Sequence, residues 1–87
     1  MGDNTNTLHV RMTQATQTLW EGEARSVSSS NAEGPFDILP MHANYITLIN
    51  DDPIVVIEED GAKKTYNFRH SVIYVHDNNV KIYADFT

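Results

Sequence analysis

Histidine changes charge near neutral pH, so the four histidines, His9, His42, His70 and His76, are the first candidates for acid–base catalysis or metal ligation. Their spacing supports neither. No His-x-His or His-x-x-x-His pair occurs, and Ser71 beside His70 lacks the Gly-x-Ser-x-Gly setting that strains and activates a nucleophilic serine. The acidic runs Asp51-Asp52 and Glu58-Glu59-Asp60 offer the oxygen ligands a hard cation wants, but not in the Asp-x-Asp-x-Asp-Gly order. They fall where turns are expected and read as solvated charges that discourage edge-to-edge pairing of strands. Without cysteine there is no disulfide framework and no thiolate zinc site. No catalytic, cofactor or metal residue is assigned, and the chain is expected not to be an enzyme.

Contact chemistry remains. Trp20 and the four tyrosines, Tyr45, Tyr66, Tyr74 and Tyr83, could stack a sugar ring or anchor a protein interface, because an aromatic face offers a large area at low entropic cost. In a chain of 87 residues most of them are needed in the core. Tyr45, which follows a proline-rich loop and opens a short apolar run, is open to either reading.

The elements that position these groups read as strands. Apolar residues alternate with polar ones at period two, and no window of eleven or more residues sustains a helical stripe. Leu8, Val10 and Met12 alternate with His9 and Arg11. Trp20, Ala24 and Val27 punctuate a polar stretch in which Gly22 reads as a bulge or bend. Tyr45 to Ile49 and Ile54 to Ile57 are separated by Asn50-Asp51-Asp52-Pro53, a hairpin or corner. Glu59-Asp60-Gly61-Ala62 is the sharpest hairpin signal, linking 54–58 to 63–69, and Asp77-Asn78-Asn79 is a second. Val80, Ile82 and Ala84 are expected on one face, with Lys81, Tyr83 and Asp85 on the other. The pattern implies an all-β domain of about seven to nine short strands, a two-sheet β-sandwich or flattened β-barrel. It spans 1–87 as a single domain, with 1–6 a frayed N-terminus.

Charge narrows the partners. Twelve acidic against six basic side chains give a net charge of -6, and no basic cluster exceeds Lys63-Lys64, so nucleic acid is not expected. The longest apolar run, Ile54-Val55-Val56-Ile57, is far short of the roughly 20 residues that span a bilayer, so any membrane contact is indirect. Met1-Gly2 is read as part of the polar terminus rather than as a lipidation signal.

Glu33-Gly34-Pro35-Phe36-Asp37-Ile38-Leu39-Pro40-Met41-His42-Ala43 resembles the Gly-x-Phe-Gly-Ile-Leu-Pro-Gly-His-Ala stretch of the epsilon subunit of the F-type rotary ATP synthase. Leu19-Trp20-Glu21-Gly22-Glu23-Ala24 is similar to that subunit's aromatic-x-Gly-Glu strand. Thr47-Leu48-Ile49 is similar to its Thr-x-Leu segment, and Val80-Lys81-Ile82-Tyr83-Ala84-Asp85 to its closing Val-x-Ile-x-Ala-Asp. The order and spacing of these motifs cover nearly all of residues 7–85. Departures are local. Asp37 and Met41 stand where the family has glycine, and Asn44 where it has proline. The family's Pro-Gly falls around Asp51-Asp52-Pro53, and its Ser-Gly-Gly is Arg69-His70-Ser71. Either those loops differ or Asp37 adopts a left-handed backbone.

The resemblance implies a flattened sandwich of about ten strands at the foot of the central stalk, coupling the gamma subunit to the c-ring of a proton- or sodium-driven synthase without catalysing anything. It implies a peripheral position on the cytoplasmic face of an energy-transducing membrane. The family's ring-facing loop falls on Ser29, Ser30, Asn31, Glu33 and Pro35, and its stalk-facing surface on His42, Tyr45 and Thr47. For His42, a ring satisfied by nearby backbone carbonyls stands beside direct contact with gamma. For Glu33, a solvated charge stands beside contact with the ring. Family members usually continue into a two-helix hairpin that restrains ATP hydrolysis; the sequence stops at Phe86-Thr87, so a naturally short subunit is expected to lack that hairpin and its inhibition, whereas in a longer chain this would be the sandwich half alone. The alternative function is a free-standing β-sandwich module that binds carbohydrate or protein. Exposed coplanar aromatics would mark the module, whereas a tucked Trp20 with an apolar patch near Tyr45 would mark the stalk subunit.

Overall fold

Alternation becomes architecture in eight strands. The computed structural model describes residues 6–85, so Met1-Gly2, most of the expected frayed segment and Phe86-Thr87 lie outside the described residues. The strands are β1 (Leu8–Gln14), β2 (Gln17–Asn31), β3 (Gly34–Ile38), β4 (Tyr45–Asn50), β5 (Ile54–Glu58), β6 (Lys63–Tyr66), β7 (His70–His76) and β8 (Asn79–Ala84). They hydrogen-bond in the order β4-β7-β8-β1-β2-β5-β6, with β3 also paired to β2. All neighbours are antiparallel except β1 and β8.

Strand β2 makes two layers from one sheet. Its first half pairs with β1 and its second half with β3 and β5, so the sheet folds over along this 15-residue strand. One layer is β4-β7-β8-β1-β2 and the other β3-β2-β5-β6. The eight strands fall within the number read from alternation, below the ten the resemblance implies, because β2 runs unbroken through both layers. Its register slips at Leu19, opposite Met12/Thr13, and again between Ala24 and Ser26. These are the bends, and Gly22, read from sequence as the bend, has another task. Trp20 lies across it, packed against the core, and a Cβ on Gly22 would sit 2.9 Å from Trp20 Cζ2.

The inward set follows the two-residue period. Leu8, Val10 and Met12 of β1, Ile73 and Val75 of β7, and Val80 and Ile82 of β8 are fully buried against Val27, Ile38, Ile54 and Val56 of the facing layer. Each contributes roughly 1.5–3 kcal/mol by leaving water. Ala84 is buried with them, while Lys81 and Tyr83 face outward as expected.

Turn chemistry is mixed. The β7–β8 turn puts Asp77 and Asn78 at φ 48° and 64°, the left-handed pair of a two-residue hairpin. In the β5–β6 turn only Gly61 is left-handed, at φ 94°, while Gly61 N–H donates to Glu58 O at 2.8 Å. The β1–β2 turn has no sequence signal at all, since Ala15 takes φ 54°. Residues 51–53 form a corner rather than a hairpin, because β4 pairs with β7 and β5 with β2 and β6.

Outside the core, His9 on β1 bridges two carboxylates of β2. Its Nδ1 lies 2.8 Å from Glu23 Oε2 and its Nε2 2.8 Å from Glu21 Oε2, and Thr7 Oγ1 donates to Glu23 Oε1 at 2.7 Å. The hydrogen bonds to Glu23 and then Glu21 raise the His9 pKa above its ordinary 6.5, and that from His9, followed by Thr7, lowers the Glu23 pKa below 4.5. Stability from His9 is full below pH 6.5 and lost as pH rises through its raised value. That from Glu23 is full above pH 4.5 and lost as pH falls through its lowered value. The stability gap between wild type and His9→Gln is therefore expected to be widest between about pH 4.5 and 6.5 and to close toward pH 9. Because the three side chains are 36–44% exposed, the gap is expected to stay below about 1 kcal/mol, measurable by urea titrations across that range.

Candidate partner-binding surface

At the β2–β3 hairpin the two layers meet. Glu33 N–H donates to Asn31 Oδ1 at 2.9 Å, an Asx turn, and Gly34 closes the turn at φ 117°, a backbone only glycine adopts without strain. Glu33 and Pro35 are exposed, and Ser30, opposite Pro35, is half-buried. Pro35 lies on an outer strand, where a missing N–H costs no ladder bond. Ser29 faces inward at 9% exposure and donates its hydroxyl to Pro53 O at 2.9 Å, so it supports the hairpin from beneath rather than presenting a contact.

Asn31 ties this hairpin to β4. Its Nδ2 donates to Tyr45 Oη at 2.8 Å and to Thr47 Oγ1 at 2.9 Å. Tyr45 also meets Phe36 of β3 edge-on, with centroids 5.8 Å apart, and His42 at 5.7 Å. His42 Nδ1 lies 2.7 Å from Ala43 O, so that nitrogen carries the proton, and the half-buried ring is satisfied by a backbone carbonyl. The hairpin and the set His42, Tyr45 and Thr47, far apart in sequence, are thus brought into contact across the layers, with Tyr45 half-buried against the core.

Four exposed apolar residues were missed by the sequence reading: Leu39, Met41, Ile46 and Leu48 are 53%, 70%, 66% and 51% exposed, the first two on the loop before β4 and the last two on the face of β4 opposite Tyr45 and Thr47. A signal was available, since Tyr45 to Ile49 is apolar in both phases of its alternation, the mark of a strand covered on both faces. Trp20, by contrast, is half-buried against the core rather than displayed.

Residues 7–87 match the family described as ATP synthase, Delta/Epsilon chain, beta-sandwich domain. The chain belongs to this family. It is 30% identical over 80 residues to the ATP synthase epsilon chain of Alkalilimnicola ehrlichii and 29% identical to that of Delftia acidovorans, covering 92% of this chain in both cases. It spans 57% and 58% of those relatives' lengths. Among solved structures, it is similar to a chain of the Euglena gracilis mitochondrial ATP synthase, OSCP/F1/c-ring in rotational state 1, at TM-score 0.85 and 18% identity, covering 95% of this chain and 53% of that one. A chain of the Tetrahymena thermophila mitochondrial ATP synthase central stalk and c-ring gives 0.72 at 13% identity, covering 88% of this chain and 62% of that one. Likeness at these identities is likeness of fold.

Two departures of this delta/epsilon-chain domain, Asp37 and Met41, have physical accounts. Asp37 is not left-handed. It sits in β3 opposite Ser28, whose hydroxyl donates to its Oδ1 at 2.5 Å, so an acceptor has taken a glycine's place. Met41 does keep the glycine backbone. His42 N–H donates to Leu39 O at 3.1 Å around Pro40-Met41, and Met41 has φ 69°, the third position of a type II turn. Asn78 Oδ1 accepts from Met41 N–H at 2.6 Å and holds that conformation. Met41→Gly is therefore expected to stabilise the domain by about 0.5–1 kcal/mol, raising Tm by several degrees in a thermal melt. No helix among the described residues is long and apolar enough to cross a membrane.

Proposed function

We propose that this chain is the β-sandwich of a central-stalk epsilon subunit, a single domain over 1–87 that couples gamma to the c-ring of a proton- or sodium-driven F-type ATP synthase and catalyses nothing itself. The hairpin tip, Ser30, Asn31, Glu33 and Pro35, faces the c-ring, with Ser29 beneath it. His42, Tyr45 and Thr47 belong to the gamma side of the domain, whose exposed apolar residues are Leu39 and Met41 on the loop and Ile46 and Leu48 on the outer face of β4. The domain lies at the cytoplasmic face of the membrane, touching it only through the ring.

The observation that carries this reading is the Asn31 junction. A coupling element must pass load between two partners without yielding, and Asn31 joins the ring-side hairpin to the gamma-side strand by short hydrogen bonds across the layers. A tucked Trp20 and the apolar patch beside Tyr45 favour the stalk subunit over the carbohydrate module, since the largest aromatic is engaged with the core. Native mass spectrometry of complexes purified through a tagged copy from the chain's own source tests it. Recovery with gamma and c subunits is the expected result, and recovery of the chain without either overturns the proposal.

A further inference from the structure

The outward face of the β4-β7-β8-β1-β2 layer carries chemistry that coupling by shape alone does not require. Register aligns Ile46, Tyr74, Lys81, Arg11 and Glu21 in one row across it, and Leu48, Val72, Tyr83 and Thr13 in the next. The face therefore grades from apolar at β4 and β7 to basic at β8 and β1. Arg11 and Lys81 are direct partners in the parallel pair, about 5 Å apart along the ladder.

Like charges set opposite one another weaken a sheet unless an anion lies between them. The obvious anion is Glu21, next in the row, but His9 engages Glu21 Oε2 at 2.8 Å. Among the described residues neither Arg11 nor Lys81 has a carboxylate within ion-pair distance. On a chain of net charge -6, two adjacent unneutralised cations are a local inversion of the field. Arg11, Thr13, Lys81 and Tyr83 line a shallow recess of about 210 Å³, and Lys81 continues into a second of about 280 Å³ with Tyr74, His76 and Asn79.

We infer that this face docks an acidic segment of the gamma subunit, whose carboxylates are held between Arg11 and Lys81 while apolar side chains beside them cover Tyr74, Tyr83 and Leu48. An acidic protein segment fits better than a small anion, because the recess is open and shallow and its cations adjoin exposed apolar residues. The face also begins at Ile46 and Leu48 of β4, the exposed apolar residues set on the gamma side above. This rests on the central-stalk reading above and names the chemistry by which the same partner is held.

The test uses the full chain and the gamma subunit of its own source. Affinity is measured at low and high salt for wild type, Arg11→Glu, Lys81→Glu and, as a control away from the face, Lys63→Glu. In the assembled synthase, Lys81 is then joined to any contacting carboxylate with a zero-length carbodiimide and the linked peptides are identified. The expected result is a loss of affinity of tenfold or more for Arg11→Glu and Lys81→Glu, a weaker salt dependence, retained cooperative melting of both variants, and a Lys81 link to an Asp or Glu of gamma. Equal binding by wild type and both variants, or a Lys81 link to a c subunit instead, overturns this inference and leaves the coupling role standing. Failure of the wild-type chain to bind gamma overturns both.

Discussion

Asn31→Ala is expected to lower the stability of the domain by about 2 kcal/mol, a fall in Tm of roughly 8–16 °C. Three hydrogen bonds go with that side chain: those to Tyr45 Oη and Thr47 Oγ1 and the one accepted from Glu33 N–H. At a typical net worth of about 0.5–1.5 kcal/mol each the three sum to about 1.5–4.5 kcal/mol, and the exposure of the Glu33 contact sets the loss toward the lower end. Asn31→Asp separates hydrogen bonding from volume. Both hydroxyls can donate to a carboxylate, and its other oxygen still accepts from Glu33 N–H, so the loss is expected to stay under about 1 kcal/mol at neutral pH. Equal destabilisation by the two substitutions in urea titrations would show that Asn31 acts by packing. On the proposed placement of the hairpin against the ring and of β4 against gamma, Asn31→Ala is also expected to weaken coupling: ion pumping per ATP hydrolysed by a reconstituted synthase falls while the catalytic rate of its head does not.

The second large effect is at Gly22. Its added methyl in Gly22→Ala would meet Trp20 Cζ2 at 2.9 Å and Cη2 at 3.3 Å, and the indole cannot swing clear without leaving the core it packs against. Overpacking of this kind costs typically 1–3 kcal/mol. The expected readouts are a lower denaturation midpoint and a shift in Trp20 fluorescence, as the ring moves toward water. A smaller aliphatic partner removes the clash, so Gly22→Ala in a Trp20→Leu background is expected to cost less than half as much. An equal cost in both backgrounds would trace the effect to the β2 backbone instead. Gly22 is thus explained by contact with Trp20 rather than by a turn.

The alternation of Leu8, Val10 and Met12, of Ile73 and Val75 and of Val80 and Ile82 specified the inward face residue by residue, because a strand's two-residue period leaves only one way to bury them together. Asp60-Gly61 and Asp77-Asn78 located two hairpins, since those residue types tolerate left-handed backbone. The ordered motifs from Trp20 to Asp85 carried the family. Other features lay beyond any local pattern. The Ala15 turn has no composition signal, and its left-handed angle is imposed by the strands it joins. That β2 serves both layers depends on partners drawn from β1, β3 and β5. Ser29 and Asn31 look alike in sequence as polar hairpin residues. One is buried under Pro53 and the other grips β4, a difference set by which way each points once the layers close. Residue type and spacing determined the strands, their inward faces and the family. Which polar side chains meet across the sandwich, which apolar ones stay outside, and that Arg11 and Lys81 lie side by side were decided only by tertiary structure, because each depends on register between strands up to about 70 residues apart in the chain.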